Sequence, residues 1–250
     1  MSRGNSVIVI IVGIMALLIF ILSIVFYAFS LIAGFVSPFS SRNLVSGTTA
    51  NLETVDCSGA KIPKVYLPWI KQSAARFLGG DEAALLAVIS IESNYNREAI
   101  SSTGAVGLGQ FVYPTAVGVQ KNAGLFKGLQ LILVPRADKK DKLVTEAEKQ
   151  SFRQGYPYEG RLNAEASILA TGYYFGNAVK KYNGDIKTAY AEGYNGSNKI
   201  QANGKTEKEN ASTRLLAIYN DLKSGGSCQE LNKNPGQLGE ELRISGGIKK

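Results

Sequence analysis

The chain has 250 residues, 28 Lys and Arg against 20 Asp and Glu, two cysteines and no histidine. Without histidine, Ser-His-Asp and Cys-His nucleophile pairs and the common His-based zinc sites are excluded together. Proton transfer then falls to carboxylates, Tyr, Lys or Cys, and glycosidic bond cleavage is a common chemistry that needs only carboxylates.

In chain order, residues 1–6 read as a short cytoplasmic tail. Residues 7–36 (VIVIIVGIMALLIFILSIVFYAFSLIAGFV) contain no charged residue. About 20 apolar residues cross a bilayer as a helix, and a cleaved signal peptide has an apolar core of only roughly 7–15. The run is therefore expected to be an uncleaved single transmembrane anchor. Arg3 before it and Arg42 after it give a slight orientation bias, and the rest of the chain is placed outside the cytoplasm as a cell-membrane protein. Residues 37–60, rich in Ser, Thr, Gly and Asn, read as a linker.

The working part is expected over 61–225, long enough for one domain with a real core. Leaving out Arg3, 27 basic residues stand against 20 acidic ones, a charge of +7 that suits an anionic partner such as a membrane surface or wall polymer. The basic residues are scattered and not interleaved with aromatics, so nucleic acid is not expected as a partner. Cys57 and Cys228 flank the domain. In an exported protein they are either a disulfide tying its ends together or two unpaired thiols.

The elements within the domain are mainly helical. A helix begins at Leu67, with Pro68 in its first turn and Gly79-Gly80 as its stop. Asp81 caps a second, DEAALLAVISIES, on which Leu85, Val88, Ile89 and Glu92 share a face. Residues 111–160 are mixed and unordered by pattern. A helix is predicted over 164–182, a short one after Asp185, and another after the Thr206/Glu209 capping box, ending at Gly225-Gly226. Residues 226–250 read as a flexible tail.

Glu92 is the residue that matters chemically. It closes an apolar helix, so partial burial would raise its pKa and suit it to general acid work near neutral pH. Gly104, Gly107 and Gly109 let the next loop approach a ligand closely, and Gln110 offers an amide that donates and accepts. A solvent-facing glutamate beside an ordinary turn is the alternative on these grounds.

Four pieces then line up in order. Glu92-Ser93, Ala99-x-Ser101 and Gly104-Ala105-x-Gly107-Leu108-x-Gln110 resemble the E-S, A-x-S-x-x-G-A-x-G-L-M-Q signature of the lytic transglycosylases, a family related to goose-type lysozyme. SILATGYYF resembles N-I-x-x-G-x-x-Y-L, keeping Ile168 and Tyr174 but with Ser167 for Asn and Thr171 for Gly. AEGYNGS resembles A-A-Y-N-A-G through Tyr194-Asn195. STRLLAIY resembles E-T-R-x-Y-V through Thr213-Arg214, with Ser212 for Glu. The resemblance spans about 65–222 and implies a lysozyme-like helical domain that cuts the β-1,4 bond between N-acetylmuramic acid and N-acetylglucosamine in peptidoglycan, without cofactor or metal. Glu92 would be acid and then base, with Ser101, Gln110, Tyr194 and Asn195 holding the glycan. The family works without a second carboxylate and releases 1,6-anhydro ends. Gly109 stands where the signature has Met, and Glu192 stands beside Tyr194-Asn195 as a candidate second carboxylate for a hydrolase. Three functions fit: an anchored transglycosylase opening the wall for a secretion or conjugation apparatus, a hydrolytic muramidase, or a non-catalytic wall-binding scaffold.

Overall fold

The structure is a computed structural model that describes residues 53–57, 60–135, 143–195, 200–201 and 203–224. All of these fall within one compact unit, Thr49–Lys250. The expected anchor at 7–36, the tail at 226–250 and Cys228 lie outside the described residues. Among the described residues, no helix is long and apolar enough to cross a membrane.

The described chain opens with a hairpin. β1 (Thr54–Cys57) and β2 (Ala60–Pro63) pair antiparallel, with Val55 opposite Ile62 and Cys57 opposite Ala60. Strand β1 thus forms within the stretch that composition reads as linker. The reason is a short period-2 alternation that buries Val55 and Cys57 and leaves Thr54 and Asp56 exposed. Four residues are too few for that pattern to outweigh the polar composition around them.

Besides 3-10 turns at Lys64–Tyr66 and Gly160–Leu162, the described residues then form α1 (Leu67–Phe77), α2 (Glu82–Ser93), α3 (Tyr113–Ala123), α4 (Glu146–Gly155), α5 (Ala164–Lys181) and a single turn, α6 (Ile186–Thr188). A π-helical segment, Ala189–Asn195, continues directly from α6, and α7 covers Glu207–Lys223. The caps are local chemistry. Asp81, Asn163 and Asp185 each accept from a backbone N–H three residues on, and Thr145/Glu148 and Thr206/Glu209 form full capping boxes. Helices α3 and α4 fall in the stretch that pattern alone did not order.

The core is organised around α2. Its seven consecutive residues Ala83–Ile89 are all buried, so the helix is covered on every side and does not present a single apolar face. At ~1.5–3 kcal/mol for each large apolar side chain, Leu85, Leu86, Val88 and Ile89 dominate local stability. The helix stops because Asn94 and Tyr95 take left-handed φ values of 49° and 60°. That stop leaves Glu92, in the last turn, at the edge of a dry core. Helix α7 packs on α2, and the π-helical segment packs between α5 and α7.

Candidate active site

Glu92 is only half-buried, but its carboxyl lies against the packed end of α2. Burial pushes its pKa from the ordinary 4.5 up to about 7, a hydrogen bond from Tyr190 acts in the opposite direction, and the charge of Glu207 raises it further. The Tyr190 hydroxyl donates to Glu92 Oε1 over 2.6 Å, and Asn195 Nδ2 donates in turn to the Tyr190 oxygen at 3.4 Å. Burial and the adjacent Glu92 raise the Tyr190 pKa well above its usual value, so it stays a donor. With Oε1 occupied, the proton of the neutral acid belongs on Oε2, which has no hydrogen-bond partner among the described residues.

The loop after α2 forms the facing wall. Ile100 and Phe111 each bridge to Val106, folding the loop back on itself. The Ser101 hydroxyl oxygen accepts from the Thr103 and Ala105 amides at 3.2 and 2.9 Å. Gln110, at φ 49°, donates from Nε2 to the Ala99 and Gly107 carbonyls at 3.1 and 2.8 Å, and its Oε1 is without a protein partner among the described residues. Both residues therefore brace the loop while lining the space beside Glu92. Gly107, at φ +82°, lies so close to Arg161 that a Cβ would overlap that residue's carbonyl oxygen.

Beneath this loop is a fully buried ion pair. Glu159 Oε1 accepts from Arg161 Nε at 2.7 Å, with both side chains at 0% exposure. The same guanidinium donates to the Phe111 carbonyl at 3.0 Å and to the Ile132 carbonyl, while Glu159 also accepts from the Arg161 and Ile132 amides. Every charged atom is thus satisfied, as burial of an ion pair demands.

Tyr194 closes the aromatic side. Its hydroxyl donates to the Gly109 carbonyl at 2.7 Å, and its ring stacks on Tyr190 at 5.8 Å and 14°. Tyr174, Phe175 and Phe111 pack around it. Gly109 leaves no gap in the wall. A Cβ there would overlap Thr171 Oγ1 and sit 2.6 Å from Phe111 and 2.8 Å from the Tyr194 hydroxyl. Thr171 and Gly109 occupy the positions where the signature has Gly and Met, so bulk has moved from the loop to α5.

Glu92, Ser101, Gln110, Tyr194 and Asn195 all line one cavity of about 580 Å³, together with Tyr190, Glu207 and Arg214. A second cavity of about 800 Å³ shares Glu92, Ser101, Gln110 and Arg214 and extends along the end of α2. Glu192 lines neither. It faces a separate cavity between α3 and α5, and its carboxylate pairs with Lys208 Nζ at 2.7 Å. Sequence reasoning missed Tyr190, whose signal was its spacing of four from Tyr194, and it missed Glu207 and the Glu159–Arg161 pair. Ser212, where the signature has Glu, is buried and donates to the Glu209 carbonyl at 3.1 Å. Cys57 is buried at 1% exposure.

Two comparisons with known proteins give matches. Residues 70–136 match the transglycosylase SLT domain. Membrane-bound lytic murein transglycosylase C of Yersinia pestis (strain Pestoides F) is 45% identical over 51 residues, and its counterpart in Yersinia pseudotuberculosis serotype O:1b (strain IP 31758) matches to the same extent. The match covers 20% of this chain and 14% of each relative. Tyr190, Tyr194, Asn195 and Arg214 lie beyond the matched domain segment. The matched stretch, residues 70–136, is the one that holds Glu92, Ser101 and Gln110, and over it the chain is similar to the transglycosylase SLT domain.

Proposed function

We propose that this protein is a peptidoglycan lytic transglycosylase that cuts the β-1,4 bond between N-acetylmuramic acid and N-acetylglucosamine. The observation that carries the reading is the Tyr190–Glu92 hydrogen bond at the cleft, which engages Oε1 of a raised-pKa acid that lines the cavity and leaves Oε2 without a hydrogen-bond partner among the described residues. In this mechanism Glu92 Oε2 gives its proton to the bridging oxygen as the C1–O bond breaks. The substrate's own acetamido group stabilises the positive charge at C1. The resulting Glu92 carboxylate then takes the proton of the C6 hydroxyl as O6 bonds to C1, which restores the acid and releases a 1,6-anhydro end without water. The Gln110 Oε1 and the Tyr194–Tyr190 face hold the sugar. The proposal includes an anchor at residues 7–36 with the domain outside the cytoplasm, a Cys57–Cys228 disulfide, and local wall opening for a secretion or conjugation apparatus.

A hydrolytic muramidase has one observation in its favour: Glu207, a second carboxylate, lines the cavity of Glu92. The test is mass spectrometry of fragments released from purified peptidoglycan by the full-length protein. Anhydro ends that fall by ~10²–10⁴-fold in Glu92→Gln support the proposal. Reducing ends lost in Glu207→Gln support the hydrolase. Binding without fragments, unchanged in Glu92→Gln, makes the protein a scaffold.

A further inference from the structure

Arg214 lines both cavities that flank Glu92. It is exposed, and among the described residues it makes no ion pair and no hydrogen bond. It shares one face of α7 with Glu207, Asn210 and Ala211, since positions 0, 3, 4 and 7 of a helix align. Glu207 lines only the smaller cavity. In the larger one, of about 800 Å³, Glu92 is the sole acidic residue among the lining groups, and the remaining polar ones, such as Ser90, Ser93 and Asn94, are neutral. In that cavity Arg214 is the one basic group among the lining residues, and no side chain there is hydrogen-bonded to its guanidinium among the described residues. Such a fork matches a carboxylate with two parallel hydrogen bonds, which a neutral sugar hydroxyl cannot reproduce.

Resting on the transglycosylase reading, we infer that the larger cavity receives the carboxylate-bearing side group of the muramyl residue and that Arg214 binds its carboxylate. Muramyl residues differ from plain N-acetylglucosamine in carrying a lactyl group, which ends in a carboxylate when bare and bears further carboxylates along its peptide when substituted. Arg214 is thereby the group that separates wall glycan from uncharged chitin-like chains of the same backbone.

The experiment is titration calorimetry at low salt on full-length Glu92→Gln protein, with Arg214 intact or replaced by Ala. The probes are chitotetraose, peptide-free glycan strands and peptide-bearing glycan strands. A charged hydrogen-bonded contact is worth ~10–100-fold in affinity. Arg214→Ala is expected to weaken binding of carboxylate-bearing strands by at least about tenfold and to treat chitotetraose like the intact protein. A loss confined to peptide-free strands assigns the lactyl carboxylate, which is an amide once the peptide is attached. A loss confined to peptide-bearing strands assigns a carboxylate of the peptide, and a loss on both means that Arg214 takes either. Strands bound equally by both proteins, or a matching loss on chitotetraose, overturn the inference. The transglycosylase reading fails on a different readout, the absence of anhydro fragments from protein with Glu92 intact, so the two failures are distinguishable.

Discussion

The two walls that face each other across Glu92 are built by opposite means. The loop wall, residues 99–111, is held from below by a completely buried ion pair and from within by Ser101 and Gln110. The α7 wall presents exposed polar side chains toward the cleft, its apolar side packs through Leu215 against Tyr190 and Ala189, and its ion pair to the π-helical segment, Lys208–Glu192, is 17% and 47% exposed. A buried pair broken on one side typically costs ~3–5 kcal/mol, whereas an exposed pair is worth ~0–1 kcal/mol. The costlier of the two charge pairs to break thus lies under the loop wall, and the cheaper one on the α7 wall.

The contrast is broken most severely at Arg161. Arg161→Met strands Glu159 in the core and is expected to lower stability by ~3–5 kcal/mol, read as a fall in the urea midpoint. A second change, Glu159→Leu, removes the stranded charge and should recover most of that loss. Fragment release by the double variant should stay low if the guanidinium also shapes the loop through the Phe111 carbonyl. A smaller effect is expected at Tyr190. Its hydrogen bond stabilises the Glu92 carboxylate and opposes the upward push of burial, so Tyr190→Phe moves the pKa above about 7. The limb of the pH–rate profile that reports Glu92 should shift to higher pH, with turnover down by about tenfold for one lost charge-assisted bond. An unshifted limb would remove Tyr190 from the proton chemistry. The smallest effect belongs to the exposed tie. Glu192→Gln should change stability by less than ~1 kcal/mol and leave fragment release intact. Loss of release there would return Glu192 to the chemistry.

Legibility in the sequence followed the range of the interactions. Helices α2, α5 and α7 were readable because their caps and apolar spacing are local, and Asp81, Thr206 and Glu209 do what their positions announce. Helix α4 also has a local cap, Thr145 with Glu148, but it lies next to a charged run that resembles solvated loop. Helix α3 has Pro114 near its N-terminus, Gly118 in its interior and no side-chain cap, so it offers little local helix signal. The five residues singled out for the site do line one cavity, because short motifs fix local loop geometry. The contacts that give Tyr190 and Arg161 their places at the site span 98 and 50 residues, to Glu92 for the first and the Phe111 carbonyl for the second, and neither the Tyr190/Tyr194 spacing nor the neighbouring Glu159 announces them. Glu192 was attractive from adjacency to Tyr194, yet the π-helical segment places it on another cavity.

The raised pKa of Glu92 also belongs to the thermodynamics of folding. A carboxyl that titrates at 4.5 when unfolded and at about 7 when folded binds its proton more tightly in the native state. Its favourable contribution is complete below about pH 4.5 and is withdrawn as pH rises to about 7, leaving the ionised group a burden of at most ~3 kcal/mol under alkaline conditions. Glu92→Gln cannot ionise, so its melting temperature should exceed that of the unaltered protein at pH 8 and converge with it near pH 4. A chain built for durability alone would do without this carboxylate, and, given the proposed function, its presence is a compromise between lasting and working.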